Sequence, residues 1–140
     1  MERIICLAIG YLFGMFQTSY IIGKIHHMDI RQYGSGNAGT TNALRTLGKK
    51  AGAMTLIGDM LKCVIAILIV DAVFKNRYQE ILPLLGMYTA AGCVLGHNFP
   101  FYLGFRGGKG IAASAGMLLA MDWRVFLICA VIFIGLVAIT

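Results

Sequence analysis

Apolar residues along this chain form long blocks instead of being dispersed as in a soluble core. The blocks cover residues 4–25, 51–74, 81–96, 111–121 and 125–140 and are separated by short polar segments. The first two blocks exceed the about 20 residues that a helix needs to cross a hydrocarbon layer, whereas the third and fourth need help from flanking residues. The pattern predicts an all-α fold, a polytopic bundle of about five transmembrane helices. We expect residues 1–140 to be a single integral-membrane domain, incomplete at its C-terminus because the last block is still apolar at Ile139.

Composition agrees with a membrane protein. The chain is 59% hydrophobic and 13% charged, and a soluble domain has about 25% charged residues. The four cysteines lie in four different blocks without a C-x-x-C pair, so neither a disulfide framework nor a zinc site is expected. We predict no metal and no cofactor, the lipid bilayer as surroundings, and no nucleic acid as a partner.

The basic residues are placed asymmetrically. The end of the first block and the segment that follows it carry five basic residues, Lys24, Arg31, Arg45, Lys49 and Lys50, against a single acidic residue, Asp29. Between the third and fourth blocks, Arg106 and Lys109 have no acidic neighbour. Because excess Lys and Arg marks cytoplasmic loops, both loops are predicted to be cytoplasmic and the N-terminus external.

Both loops contain glycine runs that resemble nucleotide motifs. The segment 34-GSGNAGTTN-42 fits G-x-G-x-x-G, with Asp59 in place of the ribose-binding acid. No strand precedes this run, however, and Asp59 lies inside an apolar block, so the dinucleotide interpretation fails. The second loop, 97-HNFPFYLGFRGGKG-110, has Gly110 where a P-loop needs a magnesium-binding hydroxyl. Nucleotide hydrolysis is therefore not expected.

The chemistry that remains is anion binding. Glycines allow successive backbone N–H groups to turn toward one anion, and helices predicted to begin near Thr41 and Ile111 would add their N-terminal dipoles. The candidate ligands from the backbone are Gly34, Gly36, Gly39, Gly107, Gly108 and Gly110. The candidate side chains are Ser35, Asn37, Thr41, Asn42, Arg45 and Lys109. The alternative is that these glycines only permit tight turns at the membrane surface.

Three further polar residues lie at or inside the apolar blocks. Asp59 and Lys62 are three residues apart, so they share a helix face and can form an ion pair. Such intramembrane charges line a site or orient the helix for packing, and the sequence does not distinguish these roles. His97 is either a general base, an anion donor or a structural residue at the loop boundary.

These motifs resemble those of the bacterial acyl-phosphate:glycerol-3-phosphate acyltransferase family, PlsY. The first family motif, GSGN-x-G-[AT]TN followed by arginine, is matched by residues 34–42 and Arg45, with Thr40 where alanine is usual. The second motif, H-N-F-P with F-[KR]-G-G-K-G, is matched by residues 97–100 and 105–110. The D-x-x-K pair of the family is matched by Asp59 and Lys62.

The resemblance implies transfer of a fatty acyl group from acyl phosphate to glycerol 3-phosphate, which gives lysophosphatidic acid for phospholipid synthesis. It places Ser35, Asn37, Thr41 and Arg45 at the reacting centre, where they hold the acyl phosphate. It places the GGKG loop with Lys109 on the phosphate of glycerol 3-phosphate. It further implies a multi-pass protein of the bacterial plasma membrane with a cytoplasmic site, and contact with an enzyme that produces acyl phosphate. Family members are about one third longer, with a third cytoplasmic loop that contains His and Asn.

Two other functions are the alternatives to this one, and the sequence lacks the signature of the first. Acyltransferases that use acyl-CoA carry an H-x-x-x-x-D dyad, and no histidine in this chain has an aspartate five residues later. A transporter or channel for a phosphorylated metabolite would use the same basic loops as a selectivity site. That alternative predicts anion flux without product formation.

Overall fold

The computed structural model describes residues 1–139, which form helices without a β-strand. The α-helices are α1 (Glu2–Gly14), α2 (Thr18–Ile25), α3 (Thr40–Leu47), α4 (Lys49–Phe74), α5 (Leu82–Asn98), α6 (Ile111–Met121) and α7 (Trp123–Ile139). Short 3-10 helices occur at Ile30–Gln32, Gln79–Ile81 and Phe101–Leu103. The predicted all-α class is therefore confirmed for the described residues, and Thr140 lies outside them.

The first apolar block is not one continuous helix. Helix α1 ends at Gly14 and α2 begins at Thr18, and the backbone of Gln17 between them is extended. By length and hydropathy, residues 2–25 and 49–74 could each cross a membrane, whereas α6 and α7 are shorter apolar helices. With 11 residues, α6 rises only about 16 Å. The predicted number of five spans stays a prediction.

Helices α1 and α5 pack most extensively against each other, along a seam of glycines. A Cβ atom on Gly10 would lie 1.9 Å from the carbonyl oxygen of Thr89, and one on Gly96 would lie 2.1 Å from that of Tyr11. Gly14 and Gly92 make equally close approaches in the same seam. Small residues four apart allow membrane helices to approach at backbone distance, so this seam fixes the position of α5 and of the loop that follows it.

The interior of the bundle lies between α4, α5 and α6. Cys63 and Cys93 are fully buried there beside Ala113, and the free cysteines Cys6, Cys63 and Cys93 behave as small apolar residues. Helix α7 contacts α6 but has no buried residue among those described. The buried contacts thus join α4 and α5, and the candidate site lies beside these two helices.

The predicted starts of the two loop-following helices agree with the structure. Helix α3 begins at Thr40, one residue before the predicted start, and α6 begins at Ile111. The two glycine-rich loops contact each other through a backbone hydrogen bond, so they lie at one end of the bundle. The segment 75–81 lies at the other end of α4.

Candidate functional site

We call residues 26–39 loop 1 and residues 99–110 loop 2. Two hydrogen bonds join them: the backbone N–H of Ala38 donates to the carbonyl oxygen of Gly107 at 3.3 Å, and Nη1 of Arg31 donates to the carbonyl oxygen of Leu103 at 2.7 Å. Gly39 and Gly108 are also close, since a Cβ atom on Gly39 would lie 4.0 Å from the Cα atom of Gly108. The two motifs, about 70 residues apart in sequence, therefore form one surface.

Arg31 belongs to the framework of loop 1 and not to its exposed face. Its Nε and Nη2 atoms donate to the two carboxylate oxygens of Asp29 at 3.0 and 2.7 Å, and its guanidinium group lies over the ring of Tyr20. The hydrogen bonds from Arg31 lower the pKa of the Asp29 carboxyl below its usual value. The guanidinium group is thus held by loop 1 while it binds loop 2.

Asn42 organises the backbone of loop 1. Its side chain is buried, and Nδ2 donates to the carbonyl oxygens of Ile30, Tyr33 and Asn37, each at 3.0 Å. Its Oδ1 atom accepts from the backbone N–H of Ser35 at 3.0 Å. The sequence suggested Asn42 as a phosphate ligand, but its amide is occupied by loop 1, so its observed contribution is to shape the loop.

The other predicted residues of loop 1 and α3 face outward. Ser35, Thr41 and Arg45 are exposed, as are Gly34 and Gly36, and Asn37 contacts the hydroxyl of Ser35 at 3.5 Å. Gly39 precedes the first turn of α3, where it is the N-cap residue. This arrangement leaves the Ser35 hydroxyl and the Arg45 guanidinium group accessible to a substrate at this end of the bundle.

Loop 2 differs in part from the predicted anion cradle. The N–H groups of Gly107 and Gly108 donate to the carbonyl oxygens of Asn98 and His97, both at 3.1 Å. These two amides are therefore not directed at an anion, because the loop must fold back on the end of α5. Among the described residues, no hydrogen-bond acceptor is found for the amide of Lys109, and the first turn of α6 has the usual unpaired amides of a helix N-terminus.

Gly110 and Lys109 complete loop 2. Gly110 is the buried N-cap residue of α6, and the Lys109 side chain is exposed. An anion at this end of the bundle can thus meet the Lys109 ammonium group and the α6 dipole. The same end carries the first turn of α3, which follows Gly39.

Asp59, Lys62 and His97 form one buried cluster behind the loops. Nζ of Lys62 lies 3.0 Å from Oδ1 of Asp59 and 2.8 Å from Nδ1 of His97. The predicted ion pair is therefore present, and it joins α4 to the end of α5. All three side chains are nearly inaccessible, with 1–5% of their surface exposed.

Residues 16–18, where the helix of the first apolar block is interrupted, also contact this cluster. Nζ of Lys62 also donates to the carbonyl oxygen of Phe16 at 2.6 Å, and Nε2 of Gln17 donates to that of His97 at 2.7 Å. The hydroxyl of Thr18 donates to Asp59. Sequence analysis missed these residues, although the adjacent polar pair Gln17 and Thr18 inside an apolar block was a usable signal.

No group of three or more His, Cys, Asp or Glu side chains that could hold a metal occurs among the described residues. The side chains of loops 1 and 2 and of α3 instead present hydroxyl, amide, guanidinium and ammonium groups at their end of the bundle. Such groups can bind and polarise phosphate and carbonyl oxygens by hydrogen bonding and charge.

Comparison with known proteins gives a consistent result. The family model described as glycerol-3-phosphate acyltransferase matches residues 4–140. A glycerol-3-phosphate acyltransferase of Clostridioides difficile (strain 630) is 54% identical over 98% of this chain and 67% of the relative. One from Lactiplantibacillus plantarum is 46% identical over 100% of this chain and 65% of the relative.

A crystal structure of PlsY, an integral membrane glycerol 3-phosphate acyltransferase, in its glycerol 3-phosphate form, superposes with a TM-score of 0.81 and 34% identity. The superposition covers 97% of this chain and 66% of that one. The lysophosphatidic acid form of PlsY gives a TM-score of 0.79. This chain therefore spans about two thirds of the length of these relatives, which are about one half longer than the chain and not one third longer as expected from the family resemblance. By its sequence along nearly the whole chain and by its fold, the chain belongs to the glycerol-3-phosphate acyltransferase family.

Proposed function

We propose that this chain is the glycerol-3-phosphate acyltransferase part of an integral membrane enzyme. It transfers a fatty acyl group from acyl phosphate to the hydroxyl of glycerol 3-phosphate and releases lysophosphatidic acid and phosphate. The observation that supports this function best is the direct junction of loops 1 and 2, because the reaction must bring two phosphorylated substrates together at a membrane surface.

The reaction suits a site made of hydrogen-bond donors and cations. Acyl phosphate is a mixed anhydride with a good leaving group, so attack by the glycerol hydroxyl needs no covalent enzyme intermediate. In that step the new ester C–O bond forms and the bond from the carbonyl carbon to the phosphate oxygen breaks. The leaving phosphate takes up the hydroxyl proton and departs as hydrogen phosphate. The protein then contributes positioning and stabilisation of the charge that develops on the carbonyl oxygen and the leaving phosphate.

The roles divide between the loops. Lys109, with the N-terminal end of α6, holds the phosphate of glycerol 3-phosphate. Ser35, Asn37 and Arg45 hold the acyl phosphate at the reacting centre, and their accessibility supports this role. Thr41 and Gly39, at the start of α3, lie beside them, while Asn42 keeps loop 1 in shape.

The membrane supplies the acyl substrate. We propose a multi-pass arrangement in the bacterial plasma membrane with an external N-terminus and both loops on the cytoplasmic side, because Lys and Arg are concentrated there. We further propose contact with an enzyme that produces acyl phosphate, since that enzyme would deliver the donor at the same surface.

Product formation tests this proposal. Vesicles that contain the full-length protein should form lysophosphatidic acid from acyl phosphate and glycerol 3-phosphate, without added nucleotide or metal. Equal turnover with acyl-CoA, or loss of activity with a chelator, would contradict the proposed donor and mechanism. The transporter alternative has no support from the comparisons, and it would require glycerol 3-phosphate flux without any acylated product.

A further inference from the structure

The buried cluster behind the loops fixes the protonation of His97. Nζ of Lys62 has three neighbours at hydrogen-bond distance: the carbonyl oxygen of Phe16, Oδ1 of Asp59 and Nδ1 of His97. A lysine ammonium group has three donors and no acceptor. The carbonyl oxygen of Phe16 and the carboxylate of Asp59 can only accept, and the three donors of the ammonium group match the three neighbours of Nζ. Nδ1 of His97 therefore accepts.

A histidine that accepts at Nδ1 is neutral and carries its proton at Nε2, because the partner of one ring nitrogen determines the tautomer. Nε2 of His97 has no hydrogen-bond acceptor among the described residues. Nδ1 is also 3.9 Å from Asp59, but the ammonium group is closer to both. The cluster thus produces one N–H donor of defined direction on a nearly inaccessible side chain.

That donor lies where the loops meet. A Cβ atom on Gly108 would be 2.2 Å from Nε2 of His97 and 2.8 Å from the carbonyl oxygen of Ala38. Gly108 must therefore be glycine for the imidazole ring to reach the junction of loops 1 and 2. The backbone carbonyl group of His97 is held at the same time by Gln17 and by the amide of Gly108, and the ring itself is held through Nδ1 by Lys62.

We propose that Lys62 is a positioning residue that holds His97 as the neutral Nε2–H tautomer, and that this N–H donates to the phosphate group bound between the two loops. The inference rests on the proposed function only for the identity of the ligand, glycerol 3-phosphate. The tautomer and its response to a phosphate can be measured without turnover. In this arrangement, the intramembrane ion pair sets the hydrogen-bonding capacity of the site instead of only packing a helix.

Nitrogen-15 NMR of the histidine-labelled, full-length protein in detergent tests the tautomer directly. His97 should show a protonated Nε2 and an unprotonated, pyridine-type Nδ1, and titration with glycerol 3-phosphate should shift Nε2 more than Nδ1. His26 and His27, which are exposed in loop 1, provide internal comparison signals, assigned with the His97→Asn variant. A proton on Nδ1, an imidazolium, or an Nε2 resonance unaffected by saturating glycerol 3-phosphate would overturn the inference, even in an active enzyme.

Two matched substitutions separate the donor from the packing of the ring. Glutamine can place an amide N–H near the position of Nε2, whereas asparagine reaches only the position of Nδ1. His97→Asn should raise KM for glycerol 3-phosphate by about 10- to 100-fold, as expected for a lost hydrogen bond to a charged group, while His97→Gln should retain most of the affinity. Equal losses in both variants at equal membrane levels would contradict the assigned donor.

A double-mutant cycle connects Lys62 to the same donor. Lys62→Met should raise KM in the wild-type background and have little further effect in the His97→Asn background, because its contribution passes through His97. Additive effects would show that Lys62 acts independently and would overturn its assignment as the positioning residue. Removal of a buried cation can prevent folding. If Lys62→Met does not accumulate, the NMR experiment on the unmodified protein tests the tautomer of His97 instead.

Discussion

Replacement of Asn42 by alanine should release loop 1 without changing its exposed chemistry. The side chain makes four contacts, to the backbones of Ile30, Tyr33, Asn37 and Ser35. Its two N–H groups are shared among three carbonyl oxygens, so we count three independent bonds at about 1 kcal/mol each. The ordered form of loop 1 should therefore lose about 3 kcal/mol, which raises the population of the open loop about 100-fold.

Hydrogen–deuterium exchange of the protein in detergent measures this change. The amide of Ser35, which donates to Asn42, should lose its protection in Asn42→Ala, and Asn42→Asp should not restore the loop because a carboxylate would face three carbonyl oxygens. Asn37→Ala is the matched control, since the side chain of Asn37 makes only one 3.5 Å contact, to Ser35. In this variant the protection of the Ser35 amide should stay close to that of the wild type. Wild-type exchange in Asn42→Ala would refute the role of Asn42 as the organiser of loop 1.

Three further predictions concern topology, packing and pH. A cysteine placed at position 109 should react with a membrane-impermeant reagent only after the cells are opened. A cysteine at position 75 should react in intact cells, and the reverse result would contradict the proposed orientation. Gly10→Val should lower the Tm markedly, because a side chain meets the backbone of Thr89 in the glycine seam, while Ala8→Val on the exposed side of α1 should not. Since the pKa of Asp29 is lowered in the fold by Arg31, its contribution is present above the unfolded pKa of about 4 and is lost as pH falls through the folded pKa. The Tm difference between wild type and Asp29→Asn should therefore shrink on acidification, and a difference that grows would contradict the ion pair.

Periodicity predicted the helical class because apolar blocks of this length have few other stable forms in a membrane. It did not predict the interruption at residues 15–17, since Met15 and Phe16 continue the apolar pattern. The interruption depends on partners that are distant in sequence: Lys62 for the carbonyl group of Phe16 and His97 for the amide of Gln17. Local hydropathy can mark the polar pair Gln17 and Thr18, but it cannot identify partners that are so distant in sequence.

At the candidate site, too, the sequence predicted some features, whereas others depended on the folded structure. The sequence predicted Ser35, Arg45 and Lys109 as candidate anion ligands in two basic, glycine-rich loops on one face, and the structure leaves all three exposed. Motif spacing could not assign directions to amides, so it treated Gly107 and Gly108 as anion donors although they bond to the end of α5. Nor could it distinguish an exposed ligand from a buried organiser such as Asn42. Those assignments depend on the folded path of the loops.

The kinetic separation of the two loops tests the central claim most directly, namely that the joined loops form one site with distinct phosphate roles. If Lys109 holds the phosphate of glycerol 3-phosphate throughout the reaction, Lys109→Ala should raise KM for this substrate far more than it lowers kcat. Ser35→Ala and Arg45→Ala should instead lower kcat, by about 100-fold or more, if they donate to developing charge. Steady-state rates of lysophosphatidic acid formation at equal membrane levels distinguish these effects on KM and kcat. Lys75→Ala, at the opposite end of the bundle, is the control. Wild-type kcat in both Ser35→Ala and Arg45→Ala would contradict the account.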